Sequence, residues 1–382
     1  MNQLVYNPSP AMSRQLVQTP SSARTLSNFA VLWLLAVGAI VPRAAAQDAS
    51  NGNEFVGSDQ CAICHPAIAE VQFSSDHSRT LRRIEKLADL LKAVPLGFSD
   101  QPNGVEYRLE KSASPGFTLD LVATKGRQVE RLHLLWGIGA GRKGITFIGR
   151  TEAGEYGQSL LSWYRKINQL DTTPGLEKEV TNAHEALADW LTPPRREHCF
   201  GCHITRQAEA LPETIEDQNA GVRCERCHGP GKRHIEAVAR GKGEARRAIG
   251  NPGRLKAIEQ LYFCGACHGT PPGATAIRTI SRNMADVQKV RFPAQRLVLS
   301  DCYNESQGRL KCTTCHDPHR NLPPSAEYFD SKCKSCHDGQ NNGTGPCPKA
   351  SRDCTRCHMP LETGFMPHSD FADHWIRIPR NR

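Results

Sequence analysis

The sequence predicts a mainly α-helical protein with many loops and one small β-rich insert. Two observations lead to this expectation. A five-residue motif, Cys-x-x-Cys-His, occurs seven times, and six copies lie between residues 199 and 358, joined by turns rich in Gly and Pro. Residues 66–198 contain no copy, and part of that stretch alternates apolar and polar residues with the period of a β-strand.

The composition is poor in the side chains from which a core is built. Only 38% of the 382 residues are hydrophobic and 6% are aromatic, while Gly and Pro together supply 56. Globular chains ordinarily reach about 45–50% apolar residues by a count that includes Gly. We therefore expect something other than side chains to fill much of the interior, and the 16 cysteines indicate what it is.

Fourteen of the 16 cysteines belong to the repeated motif. Its copies are Cys61-Ala-Ile-Cys64-His65, Cys199-Phe-Gly-Cys202-His203, Cys224-Glu-Arg-Cys227-His228, Cys264-Gly-Ala-Cys267-His268, Cys312-Thr-Thr-Cys315-His316, Cys333-Lys-Ser-Cys336-His337 and Cys354-Thr-Arg-Cys357-His358. A disulfide scaffold gives no reason for a His after every second Cys, which excludes that class. The two cysteines outside the motif, Cys302 and Cys347, could form one disulfide in an oxidising compartment.

Cys-x-x-Cys-His is the attachment signature of c-type haem. The two thiols form thioethers with one porphyrin, and the following imidazole binds its iron as the proximal ligand. A single copy would also be compatible with half a zinc site or a redox-active cysteine pair. Seven copies with His at the same offset favour haem. We predict seven covalently attached haem c groups, with the proximal ligands His65, His203, His228, His268, His316, His337 and His358.

Eight further histidines are candidates for the sixth coordination position of these irons. A second imidazole there favours electron transfer, whereas an open position permits substrate chemistry. Five of the eight are expected to bind the iron of a neighbouring haem: His77, His234, His319, His368 and His374. The weaker candidates are His184, on a predicted helix, His198, directly before an attachment motif, and His133, in a predicted strand. This count leaves one or two irons open or otherwise ligated.

The amino-terminal segment indicates export. Arg14 and Arg24 precede an apolar run, Phe29–Val41, which is followed by small residues up to Ala46. This run is too short for a bilayer, which takes about 20 residues. We therefore predict a signal peptide over residues 1–46 rather than a retained membrane anchor. The mature chain is expected to be periplasmic, with no transmembrane span.

The formal net charge is +9, and it falls to +6 without the predicted signal peptide. No lysine-rich tail or basic run with interleaved aromatic residues occurs in the sequence, so it gives no indication of nucleic-acid binding. The propionates of seven haems would make the assembled protein nearly neutral or acidic.

We divide the chain into four segments: a signal peptide (1–46), a first haem-binding segment (47–95), a haem-free insert that is β-rich and then helical (96–197), and a six-haem region (198–382). The strands predicted in the insert are Val105–Leu109, Phe117–Leu121, Leu132–Trp136 and Ile145–Ile148. The glycine-rich residues 137–144 are predicted to connect two strands, because they lack the spacing of a phosphate-binding loop. Helices in the six-haem region are expected to be short.

Several segments resemble exported multihaem cytochromes related to the tetrahaem cytochrome of ammonia oxidisers, including a class with a doubled set of attachment motifs. The similar segments are Phe55–Pro66 with His77-Ser-Arg, Leu161–Tyr164, Thr173-Pro-Gly175, Gly221–Gly231, Leu310–His319 and Cys354–Pro360. The resemblance implies a haem-packed, mainly helical fold, bis-histidine ligation by the five distal candidates, and electron transfer.

Two functions follow from the sequence. The first is a carrier that passes electrons between a quinol-side donor and a terminal reductase or oxidase. The alternative is an oxidoreductase that acts on a small nitrogen or sulfur compound at one open haem. A structural role, in which residues 96–195 dock to a membrane or a cytochrome partner, is a third possibility.

Overall fold

The computed structural model describes residues 54–113, 116–206, 212–273, 289–337, 347, 349–363 and 366–378. These residues belong to one compact unit. The predicted signal peptide lies outside the described residues, and the boundaries of the four segments stay predictions. In the described ranges, no helix is both long and apolar enough to cross a membrane.

An antiparallel sheet of nine strands is the largest element of the protein. Its strands are β1 (Leu81–Arg83), β2 (Leu96–Asp100), β3 (Val105–Lys111), β4 (Leu119–Lys125), β5 (Gln128–Ile138), β6 (Gly144–Arg150), β7 (Tyr156–Tyr164), β8 (Gln169–Thr172) and β9 (Ala188–Trp190). Strands β2 to β8 pair in chain order, while β1 pairs with the end of β5 and β9 pairs with β7. The sheet curls until β2 comes into contact with β8.

The strands bury one face because their residues alternate. In β3, Val105, Tyr107 and Leu109 are buried, while the intervening Glu106 and Arg108 are exposed. The interior contains mainly Leu, Val, Ile and aromatic side chains. Its largest members include Leu109, Leu119, Leu121, Leu132, Ile145, Phe147 and Trp163, together with Ile84 and Leu87 from the short 3-10 helix Ile84–Leu87.

The prediction of a mainly α-helical fold is therefore wrong. Three of the four predicted strands are confirmed within β3, β5 and β6, and the predicted strand Phe117–Leu121 overlaps β4 only from Leu119 onward. The sheet is much larger than the small insert expected, and it begins at Leu81 rather than after residue 96. Three-residue strands such as β1 and β9 are too short to show a period in the sequence. The expectation that haem replaces a side-chain core is also wrong for this region, because the sheet has a hydrophobic core of its own.

The helices are short, as predicted. They are α1 (Ser58–Cys64), α2 (Pro66–Phe73), α3 (Ala183–Leu187), α4 (Pro193–Gly201), α5 (Cys224–His228), α6 (Lys232–Val238), α7 (Lys242–Arg247), α8 (Ala257–His268), α9 (Pro293–Leu297), α10 (Asp301–Asn304), α11 (Cys312–Cys315), α12 (Ala326–Lys334) and α13 (Cys354–His358). Two further 3-10 turns cover Pro212–Thr214 and Pro252–Arg254. A two-stranded ladder, β10 (Leu361–Thr363) with β11 (Asp370–Ala372), follows α13.

A second apolar cluster joins the sheet to the second attachment motif. Leu81 and Trp136 of the sheet pack with Phe200, which lies inside that motif, and with Ile204, which directly follows it. The indole Nε1 of Trp136 donates a hydrogen bond to the Pro212 carbonyl at 2.8 Å. The sheet is therefore a platform against which the motif-bearing chain is fixed.

Candidate functional site

Every attachment motif lies within the described residues and contains or borders a short helix. The first, third, fifth and seventh motifs coincide with α1, α5, α11 and α13, while the second begins at the end of α4 and the fourth ends α8. All 16 cysteines are unbonded, including Cys302 and Cys347, so the disulfide considered from the sequence is not formed in this structure. Among the described residues, no group of three or more His, Cys, Asp or Glu is arranged to hold a bare metal ion.

The motifs lie side by side although they are far apart in sequence. The Cys61 side chain lies next to that of Cys224, Cys202 next to Cys267, Cys264 next to Cys312, and Cys333 next to Cys354. These contacts connect the first motif with the third, the second with the fourth, the fourth with the fifth, and the sixth with the seventh. Cofactors attached at these positions would therefore be close neighbours.

Four proximal histidines face a second imidazole from another part of the chain. The pairs, with the distances between their ring centroids, are His65 with His234 at 6.3 Å, His228 with His319 at 6.1 Å, His268 with His77 at 6.0 Å, and His316 with His374 at 6.1 Å. Each second imidazole is one of the distal candidates named from the sequence. Each follows one motif in the chain but pairs with the proximal histidine of another.

The four distal imidazoles are oriented by hydrogen bonds at Nδ1. His234 Nδ1 donates to the Ala245 carbonyl at 2.8 Å, His374 to Ala372 at 3.0 Å and His77 to Pro318 at 3.1 Å. His319 Nδ1 lies 2.9 Å from the Asp317 carboxylate. A proton at Nδ1 leaves the lone pair at Nε2 available for a metal, which is how ligating histidines are usually held.

Burial keeps several of these imidazoles neutral. Desolvation, assisted by the neighbouring His77, lowers the pKa of His268 to about 4. Desolvation and the nearby His316 lower the pKa of His374 to about 4. Burial also lowers the pKa of His228 and of His316. At neutral pH these rings are therefore in the uncharged form that binds iron.

His77 is fixed by the third and fifth motif segments. Its backbone carbonyl accepts the Val222 N–H at 2.9 Å. The same carbonyl accepts the N–H of Thr80, the residue that precedes β1. Gly221, at φ +84°, passes so close to Ser78 that a Cβ would lie 2.1 Å from the Ser78 carbonyl oxygen. Only glycine allows this approach, through which the segment after the first motif contacts the segment before the third motif.

The remaining proximal histidines have other surroundings. His358 donates from Nδ1 to the Arg377 carbonyl at 2.9 Å. Burial lowers the pKa of His203, which lies between the sheet and the third motif segment. Within the described residues, no second imidazole ring pairs with His203 or His358.

The other distal candidates lie away from the paired imidazoles. His368 uses its Nε2 to contact the Asp171 carboxylate at 2.7 Å and packs on the Tyr164 ring. His133 lies in β5, as predicted, with Nδ1 2.7 Å from Asp120. His184 stacks on Trp190 at 4.3 Å. The predicted helix around His184 is only the five residues of α3, after which the chain continues as β9.

Buried polar side chains connect the motif segments, and the sequence analysis did not find them. Thr205 Oγ1 accepts the Arg223 N–H before the third motif, and Gln260 Oε1 accepts the Thr313 N–H inside the fifth. Asp330 accepts the N–H groups of Asp353 and Cys354 at the seventh. Glu225 accepts the N–H groups of Val56, Gly57 and Gly231. Each group satisfies backbone donors at or near a motif, but none has a sequence pattern by which it could have been recognised.

Residues 158–229 match the family model described as cytochrome c554 and c-prime, and this span includes the second and third attachment motifs. Among solved structures, the chain is similar to the one titled "Crystal Structure of Outer Cell Wall Cytochrome OcwA", with 15% sequence identity, a TM-score of 0.48, and coverage of 85% of this chain and 80% of that one. No curated protein matches the chain. Together with the attachment motifs, the family match supports a haem-binding c-type cytochrome.

Proposed function

We propose that this protein is an exported heptahaem c-type cytochrome that carries electrons through bis-histidine haems. The observation that carries the proposal is the spacing of the four imidazole pairs. An imidazole nitrogen binds a first-row metal at about 2 Å, and a ring centroid lies about 1 Å behind its nitrogen. Two imidazoles on opposite sides of one iron therefore have centroids about 6 Å apart. The centroid distances between 6.0 and 6.3 Å agree with this value.

The proposal assigns one distal ligand to each of four haems. His234 serves the first haem, His319 the third, His77 the fourth and His374 the fifth. When bound, haem iron supplies reversible one-electron chemistry. The chain orients these four ligands through Nδ1, so that they would hold each iron on its second face and close it to substrate. His368 is not included, because its Nε2 is occupied by Asp171.

The remaining parts of the proposal rest on the sequence. Seven motifs imply seven haems, and the contacts between cysteines of different motifs support electron transfer from haem to haem. The predicted signal peptide supports a periplasmic location after cleavage near residue 46. We propose a quinol-side donor and a terminal reductase or oxidase as the redox partners.

The replacement His234→Ala in the haem-loaded protein tests this function. Losing its distal imidazole should convert one haem from low-spin to high-spin in the EPR spectrum of the oxidised protein and allow cyanide to bind there. His368→Ala is the matched control and should leave every haem signal unchanged. A wild-type spectrum without low-spin bis-histidine haem, or a His234→Ala spectrum identical to wild type, would refute the proposal.

A second candidate function is oxidation or reduction of a small nitrogen or sulfur compound at one open haem. The second motif favours it, because no imidazole among the described residues pairs with His203, and the sequence resemblance to cytochromes of ammonia oxidisers points to the same chemistry. EPR of the oxidised protein with and without nitrite and hydroxylamine tests this candidate. A high-spin signal that shifts with either compound supports it, and a wholly low-spin, unresponsive protein excludes it.

A further inference from the structure

Residues 232–256 form a helical hairpin that is rich in positive charge. It contains α6, α7 and the 3-10 turn Pro252–Arg254. Its basic residues are Lys232, Arg233, Arg240, Lys242, Arg246, Arg247, Arg254 and Lys256, against only two acids, Glu236 and Glu244. The 232–256 hairpin therefore has a net charge of +6, two thirds of the +9 of the whole chain.

All eight basic residues of the hairpin are exposed. In the part of the chain that the structure describes, one of them has an ion pair, which joins Arg240 to Glu244. Lys311 adds a further cation at the edge of the hairpin, where its Nζ hydrogen-bonds the Leu255 carbonyl. The sheet is different, since residues 81–190 contain 15 basic and 14 acidic residues. The excess of positive charge is thus local to the hairpin.

The hairpin also contains one of the paired imidazoles. His234 lies in the middle of α6, stacks on His65, and donates from Nδ1 to the Ala245 carbonyl of α7. The same imidazole therefore connects the two helices of the hairpin and faces the proximal histidine of the first motif. A molecule held on the hairpin would therefore contact the same two helices that position His234 opposite His65.

We propose that the 232–256 hairpin is the docking surface for an acidic electron-transfer protein, which exchanges electrons with the first haem. This inference rests on the function proposed above and adds the place and charge of the partner. In the exchange, one electron leaves the partner's redox group and reduces one haem iron from ferric to ferrous, with no bond made or broken.

The hairpin suits a protein partner better than an anionic membrane. Helices that lie in a membrane surface bury a face with Trp, Phe and Leu side chains, whereas α6 and α7 contain none of these residues. The exposed apolar side chains Ile235 and Val238 are single residues among the charges. A small apolar contact surrounded by cations is typical of weak, electrostatically guided docking, in which charge raises the association rate by about 10- to 1000-fold and salt removes the gain.

The experiment compares two doubly substituted proteins with the same change in net charge. Lys242→Glu with Arg246→Glu reverses one face of α7, since residues four apart in a helix are neighbours. Arg127→Glu with Lys166→Glu reverses two exposed residues in turns of the sheet. Each haem-loaded protein is mixed with reduced flavodoxin, a strongly acidic electron donor, in a stopped-flow instrument, and the second-order rate of haem reduction is measured as the ionic strength is raised.

We expect the hairpin variant to be reduced about tenfold more slowly than wild type at low ionic strength and to lose most of its salt dependence. The sheet variant should stay within about twofold of wild type, because its charges are distant from the docking surface. EPR is recorded for all three proteins. If the low-spin signals of the wild-type protein are absent, the proposed function fails, whatever the rates are.

Three results would overturn the docking proposal while leaving the electron carrier intact. The first is a rate that is unaffected by salt and by the hairpin substitutions. The second is an equal loss in both variants, which would show that only total charge matters. The third is an unchanged rate in the hairpin variant together with a different effect of the substitutions. An altered potential of the first haem would assign the cations to haem propionates, and lost binding to phosphatidylglycerol vesicles would assign them to lipid.

Discussion

The sheet and the motif-bearing chain are stabilised in different ways. The sheet encloses a continuous apolar interior that includes Leu121, Phe147 and Trp163, with its strands paired almost throughout in chain order. In the described residues after 250, a small apolar cluster packs Leu261 with Ala294, Leu297 and Val298. One region is built on side-chain burial, and the other is built around imidazoles, thiols and buried polar groups.

The two regions therefore differ in what stabilises them. Strands that pair in chain order find their partners close by in the sequence. The burial of their apolar side chains then contributes about 25 cal/mol for each Å² of apolar area. The motif region has little such area, so we expect covalent haem to supply most of it. The polar contacts of Gln260 and Asp330 then set the position of each motif helix relative to the next.

The largest expected effect comes from producing the full chain without haem attachment. We expect residues 81–190 to keep slow amide hydrogen exchange, because their core consists of side chains alone. Residues from 224 to 358 should exchange rapidly, because the groups that bury their motif helices are missing. Hydrogen exchange followed by mass spectrometry measures both regions in one sample.

The haem-loaded protein is the control for that measurement, and it should protect both regions. Equal protection of the two regions in the haem-free chain would show that the motif region folds on its own side chains. Equal loss of protection would show instead that the sheet depends on haem through the cluster that joins Trp136 to Phe200.

A smaller effect is expected from Gln260→Ala. Gln260 is fully buried, and its amide donates to the Pro252 carbonyl while its oxygen accepts from Thr313 of the fifth motif. Removing it leaves buried partners without hydrogen bonds, which costs about 1–3 kcal/mol. Urea unfolding of the haem-loaded protein, followed by haem absorbance, should show this loss. Gln101→Ala, at an exposed turn position, should leave the midpoint unchanged, and an unchanged midpoint in Gln260→Ala would contradict the assigned role.

Much of the sheet could be predicted from local sequence, but its extent could not. The alternation of apolar and polar residues identified β3 to β6, because this pattern lies within the sequence of each strand and does not depend on its partners. Strands β1 and β9 pair with β5 and β7, which lie far away in the chain. Each has only three residues, too few to show the alternation of apolar and polar residues that identifies a strand. The mainly helical prediction gave too much weight to the motifs, whose helices are short and none of which exceeds the twelve residues of α8.

The candidate site was predictable in its residues but not in its pairing. The motif identifies a proximal histidine because the spacing of its ligands is local. His77, His234, His319 and His374 were named as candidates, yet their partners lie 58 to 191 positions away and depend on the fold. His368 had an equally good position after the last motif, but its contact with Asp171 of the sheet was not visible in the sequence.

The smallest expected effect concerns the exposed ion pairs between the two regions. Arg83 of β1 and Lys86 of the following 3-10 helix contact the half-exposed Asp217, which follows the second motif. The hydrogen bond from Lys86 lowers the pKa of Asp217, burial opposes this, and Arg83 lowers the pKa further. A carboxylate whose pKa is depressed on folding stabilises the protein above its unfolded pKa of about 3.9, and this contribution disappears as the pH falls through the folded value.

We therefore expect Asp217→Asn to lower the free energy of unfolding at pH 7 by less than about 1 kcal/mol, as is usual for exposed pairs. The difference from wild type should shrink toward zero as the pH is lowered below the folded pKa of Asp217, because the wild-type carboxyl is then also uncharged. Asp89→Asn, at an exposed position, should change stability at neither pH. Urea midpoints at pH 7 and near pH 2 measure the effect. An equal loss at both values would mean that Asp217 joins the two regions by shape and hydrogen bonding rather than by charge.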